Sequence, residues 1–154
     1  MCVAGVGWAA VLIGALLDGR RLVPTGLAVI VAGVLVLPGF TAGVIGNQRV
    51  VRGRQPQSGW IRSVWAPPAL PRWGLALTGV IVFAFWFAAL DAIAGMSQEV
   101  PAGDDAAVRQ QDEHQQRFAL GVLGGVGAGA TALAAGVLVR ERRDRRDRPA
   151  YRKG

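Results

Sequence analysis

The chain has 154 residues, 52% of them hydrophobic, and a formal net charge of +7 at pH 7. That length supports one domain. The apolar residues run in long uninterrupted blocks, which excludes an ordinary soluble domain and points to lipid as the solvent. Mean hydropathy over the whole chain is +0.36. Of the 17 basic residues only Lys153 is lysine. This arginine bias, with abundant Ala, Gly and Val, leads us to expect a GC-rich bacterial source and a cytoplasmic membrane location.

The first block, Met1–Leu17, has about the minimum length to span hydrocarbon. A cleaved signal peptide would carry a basic start and a small-residue cleavage site. No Lys or Arg precedes Arg20, and Leu16-Leu17-Asp18 is a poor cleavage context. A retained helix is therefore expected, either a short span or a re-entrant segment, unless the true start lies upstream. Cys2, the single cysteine, has no internal disulfide partner, and on this reading it is not a lipoprotein cysteine.

The second block, Leu22–Gly46, is 25 residues without a charge. Pro38 and the close pair Gly39 and Gly43 fall two-thirds along it. Proline removes a backbone hydrogen bond and kinks a helix. Broken helices mark binding sites in some transporters, but a kink without a site is the expected case here.

The loop 47–73 carries five arginines and no acid. Within it, Trp60, Ile61, Val64 and Trp65 would share one face of a short helix lying on the membrane surface. Pro67, Pro68 and Pro71 then lead to Trp73 at the start of the third block. Trp60, Trp65 and Trp73 are thus expected as interface anchors.

The third block, Gly74–Met96, is 23 residues with one charge, Asp91. An ionisable residue inside a span is a functional hypothesis by default. Asp91 lies five residues from the end of its block, so a structural pair with Arg20, Arg21 or Arg117 is preferred over transport. The loop 97–117 is acidic, and its later part, from Asp104 or Asp105 as N-cap, reads as an outward extension of the fourth helix. His114 beside Asp112 and Glu113 lacks the i, i+4 spacing of helical metal ligands, so no metal is expected.

The fourth block, Phe118–Val139, is 22 residues without a charge and contains GGVGAGATALAAG. Gly125, Gly127 and Ala130 fit a variant dinucleotide fingerprint. That motif needs strands around it and an acid about 20 residues on. Only 13 residues follow Glu141, and they are mostly charged, so no sheet can form. On a helix, Gly121, Gly125 and Gly129 form one stripe. Gly124, Ala128, Ala132 and Gly136 form a second beside it. Small residues let backbones approach closely and drive association in lipid. These seven positions are therefore the expected packing surface, facing a helix of the same chain or of a second molecule.

The tail 140–154 carries seven arginines and Lys153. Its i, i+4 pairs, Glu141 with Arg145 and Asp144 with Arg148, support a helical extension. Its charge favours anionic lipid. A nucleic-acid arm is the weaker reading, because topology alone predicts such a cluster.

Together these readings predict an all-α membrane protein, a bundle of four transmembrane helices with the first one short. Residues 1–139 form the domain, with spans about 1–17, 22–46, 74–96 and 118–139, and 140–154 form a basic cytoplasmic tail. Basic residues number 13 in the loop 47–73 and the tail, against four in the other connections. Both termini are therefore expected in the cytoplasm, although Arg20 and Arg21 violate the rule locally. With one His, one Cys and only Ser58, Ser63 and Ser97 as serines, no catalytic set or cofactor is expected.

Three roles remain: a structural or accessory protein acting through helix packing with itself or a larger complex, a small oligomeric transporter or channel using Asp91, or an anchor binding partners through its tail. The size is similar to that of small multidrug-resistance exporters. Here, however, the acid lies in the third span and the chain is longer, so no family membership follows.

Overall fold

A computed structural model of the chain describes residues 1–52, 70–96 and 105–146. The described residues form four helices: α1 (Cys2–Leu17), α2 (Thr25–Arg52), α3 (Arg72–Met96) and α4 (Asp105–Arg146). Three of them, α2, α3 and α4, are long and apolar enough to cross a membrane. α1 is apolar but has 16 residues. That is about 24 Å at about 1.5 Å per residue, short of a hydrocarbon core of about 30 Å.

α1 ends where the sequence supplies a glycine. Gly19 has φ 69, a conformation that a Cβ would strain. The Gly19 N–H donates to Leu16 O and the Arg20 N–H to Ala15 O. These two bonds form a Schellman cap, which satisfies two terminal carbonyls and turns the chain toward α2. α2 begins at Thr25, just after Pro24, and continues through Pro38 without ending. The Thr41 hydroxyl donates to the Pro38 carbonyl at 2.9 Å.

Two helices run beyond their apolar blocks. α2 reaches Arg52 rather than Gly46, and α4 spans 42 residues rather than the uncharged 118–139. The added turns of α4 are rich in Ala, Gln, Glu and Arg, all strong helix formers. Hydropathy marks where lipid ends, while propensity decides where the helix ends. Asp105 is in the first turn, where a carboxylate favours the helix dipole. Asp104 lies outside the described residues.

The helices are not equal in the bundle. α4 packs against α1, α2 and α3, and α1 also packs against α2. α4 is therefore the hub. In their most apolar windows, 39% of α4 is buried against 17% of α3. Gly95, Ala89 and Phe85 of α3 meet His114, Gly121 and Gly124 of α4 in turn, so these helices are antiparallel. Thr25, Val36 and Gly43 of α2 meet Gln116, Gly127 and Ala130, so α2 and α4 run parallel. Met1 and Cys2 line one cavity with Val137 and Leu138. The start of α1 and the later turns of α4 thus share one end of the bundle.

The core holds Ala9, Leu12, Ile13, Ala28, Ala32, Phe85 and Leu120. Outside it the surface is strongly apolar. Val3, Val11, Ile30, Val34, Val80, Phe83, Phe87 and Leu90 are all exposed. A soluble monomer rarely shows a contiguous apolar surface of this extent. In a bilayer these residues face acyl chains.

Candidate functional site

The most specific geometry lies along the small residues of α4. A Cβ added at Gly121 would sit 2.7 Å from the Phe85 carbonyl oxygen and 2.9 Å from the Ala89 Cβ. One added at Gly124 would run into the Phe85 ring. At Gly125 it would lie 2.9 Å from Trp86 Nε1. Three of the seven expected packing positions therefore meet α3 of the same chain. Ala128 and Ala132 are buried and line a cavity of about 330 Å³ with Val6, Trp73 and Thr78. Gly136 is buried. Among the described residues Gly129 has nothing within 4 Å of an added Cβ, so no close approach within them depends on it.

A third face of α4 escaped the two-stripe reading. A Cβ at Gly127 would lie 3.0 Å from Val6 Cγ2 and 3.1 Å from Val36 Cγ2. One at Gly43 would lie 3.5 Å from the Ala130 carbonyl oxygen. Gly127 thus lies where α4 meets α1 and α2, and Ala130 where it meets α2. The run of small residues is long because α4 must receive helices on several sides. Gly125, Gly127 and Ala130 all lie mid-helix. A phosphate loop presents free N–H groups at a helix start, and this segment has no such start.

At one end of the bundle α4 carries a polar cluster. Gln116 is 1% exposed. Its Oε1 accepts a hydrogen bond from the Thr25 hydroxyl at 3.3 Å. Arg21 Nη2 donates to Thr25 Oγ1 at 3.0 Å and forms an ion pair with Asp112. The chain between α1 and α2 is thereby tied to α4. A buried amide needs such a partner, because an unsatisfied one costs about 1–3 kcal/mol. Sequence reasoning missed Thr25, Asp112 and Gln116 as a group, since residues 91 positions apart give no periodic signal.

His114 lies with its ring against Gly95, where a Cβ would overlap the imidazole. Its Nδ1 and the Nε of Arg117 are buried without a hydrogen-bond partner among the described residues. Among the described residues no three of His, Cys, Asp and Glu gather in a metal-binding group. Ser58, Ser63 and Ser97 lie outside the described residues.

Asp91 faces Arg117, with Oδ2 3.8 Å from Nη1. Of the three arginines considered for it, Arg21 is engaged by Asp112 instead. The Asp91 side chain remains 59% exposed. Trp73 is exposed at the start of α3. Trp60 and Trp65, and the tail beyond Arg146, lie outside the described residues. Two half-buried hydroxyls among apolar neighbours are satisfied locally: Thr78 donates to the Gly74 carbonyl and Thr131 to the Gly127 carbonyl. Such i−4 bonds keep a hydroxyl from costing its desolvation in lipid.

Among the described residues the arrangement therefore offers close helix packing and two ion pairs, Arg21–Asp112 and Arg117–Asp91. No family model matches the sequence, and neither a curated protein nor a solved structure matches it.

Proposed function

We propose that this is a small multi-pass integral membrane protein of a bacterial cytoplasmic membrane. Its role is structural or accessory and is exercised through helix packing, without catalysis or cofactor. All four helices cross in this reading, α1 with a short span, and both termini lie in the cytoplasm. The Arg-rich tail rests near anionic lipid and is not a specific nucleic-acid arm. The observation that carries the proposal is α4 as hub, its glycines facing α3 on one side and α1 and α2 on another. With those close approaches satisfied within the chain, its lipid-facing surfaces stay free for a homo-oligomeric contact or a larger membrane complex.

A second reading, a small transporter or channel, draws on Asp91 at the edge of an α1–α3 groove. Purified protein in proteoliposomes is expected to show no proton or cation flux above protein-free vesicles, while a stoichiometric membrane partner or homo-oligomer survives mild solubilisation. A coupled flux that disappears in Asp91→Asn would replace the accessory role with transport. Removing residues 140–154 separates both from anchoring by the tail, which requires that partner binding be lost with it.

A further inference from the structure

α1 and α3 flank α4 yet make almost no contact with each other. Between them runs an apolar groove of about 500 Å³. Ala10, Gly14, Ala84 and Ala88 line it with small side chains, and Phe87 and Asp91 belong to the same lining. An apolar groove open to a bilayer fills with the surrounding liquid, since an empty one forfeits dispersion contacts along its whole lining.

The end of the groove selects the headgroup. Asp91 lies one turn and a half from the end of α3, at the level where hydrocarbon gives way to headgroups. Its carboxylate is more than half exposed, and the Arg117 guanidinium stands 3.8 Å away. Arg117 is not itself among the groove's lining residues, and 17% of its side chain is exposed beside Asp91. A partly exposed acid with a base beside it presents both charges that a zwitterionic headgroup complements. We propose that the α1–α3 groove binds a phosphatidylethanolamine molecule, with one acyl chain between the helices, its ammonium on Asp91 and its phosphate on Arg117. An ammonium donates charge-assisted hydrogen bonds to a carboxylate. A choline head has no N–H to donate, and a net anionic head is repelled by Asp91. The inference goes beyond the accessory role and rests only on the bundle being embedded in a bilayer.

The test is lipid retention by the full chain in nanodiscs of equal parts phosphatidylethanolamine, phosphatidylcholine and phosphatidylglycerol. After extraction, co-purifying lipid is read by native mass spectrometry. Wild type is expected to retain phosphatidylethanolamine about fivefold over its share, the weight of one partly screened charge-assisted bond. Asp91→Asn is expected to retain as much lipid with the preference reduced to near its bulk share. Ala88→Leu, which fills the groove, is expected to lower total retention at unchanged helicity. Retained lipid matching the bulk composition, or a preference that survives Asp91→Asn, would overturn the proposal. So would a lipid-free dimer, which would place a second copy of this chain in the groove.

Discussion

Replacing Gly121 with valine is expected to destabilise the bundle by about 1–3 kcal/mol or more, the usual cost of forcing atoms into a packed interior. The reason is what the new carbon meets. It would arrive 2.7 Å from the Phe85 carbonyl oxygen, which belongs to the backbone of α3 and cannot turn aside. The two helices have to separate, and the neighbouring contact at Gly124 opens with them. Gly125→Val is expected to cost less. Its obstacle is the Trp86 side chain, which is half exposed and free to swing toward lipid. Gly129→Ala meets nothing, and alanine is a better helix former than glycine by up to about 1 kcal/mol. That variant is expected to be neutral or slightly stabilised. The order is read from unfolding of the purified variants in mild detergent. Equal losses at positions 121, 125 and 129 would mean that the whole stripe faces a partner outside the chain.

Leu120→Ala is expected to have the second large effect. Leu120 is fully buried and belongs to the core that gathers Leu12 and Ile13 of α1, Ala28 and Ala32 of α2, and Phe85 of α3. In a water-soluble core a Leu→Ala change costs about 2–5 kcal/mol, part as lost transfer energy and part as cavity. Lipid removes most of the transfer part, because the unpacked helix faces hydrocarbon too. The cavity part remains, so about 1–3 kcal/mol is expected. A variant as stable as wild type would show that the four helices do not converge on this residue. The comparison with Leu138→Ala is instructive, since Leu138 is exposed to the outside and its truncation leaves no hole.

The four helices were legible because apolar blocks of this length have few alternatives in lipid. Their ends were less so. The helical turns before Phe118 and after Val139 of α4 are polar, and only their propensity and i, i+4 pairs announced them. The identity of each helix's neighbour was not legible. In water, a buried face differs in hydropathy from an exposed one, and the period reveals it. In a bilayer both faces are apolar, so Phe83, which faces out, and Phe85, which faces in, read alike. Size still carries information, which is why Gly121, Gly124 and Gly125 stood out. It did not say that Gly127 serves a different pair of helices. The tie from Arg21 and Thr25 to Asp112 and Gln116 depends on folding that brings distant residues together, and no spacing encodes it. For Asp91 the sequence narrowed the partner to three arginines, and geometry selects Arg117.

Threading of the chain through a membrane is tested most directly by the accessibility of single cysteines. In a Cys2→Ser background, Arg20→Cys, Ser58→Cys, Ser97→Cys and Lys153→Cys are each challenged in intact cells with a membrane-impermeant maleimide. Positions 20 and 97 are expected to label from outside, and positions 58 and 153 only after the membrane is opened. The mirror pattern would overturn the orientation alone. Labelling of positions 20 and 58 from the same side, or of 58 and 153 from opposite sides, would contradict the four-helix membrane bundle itself.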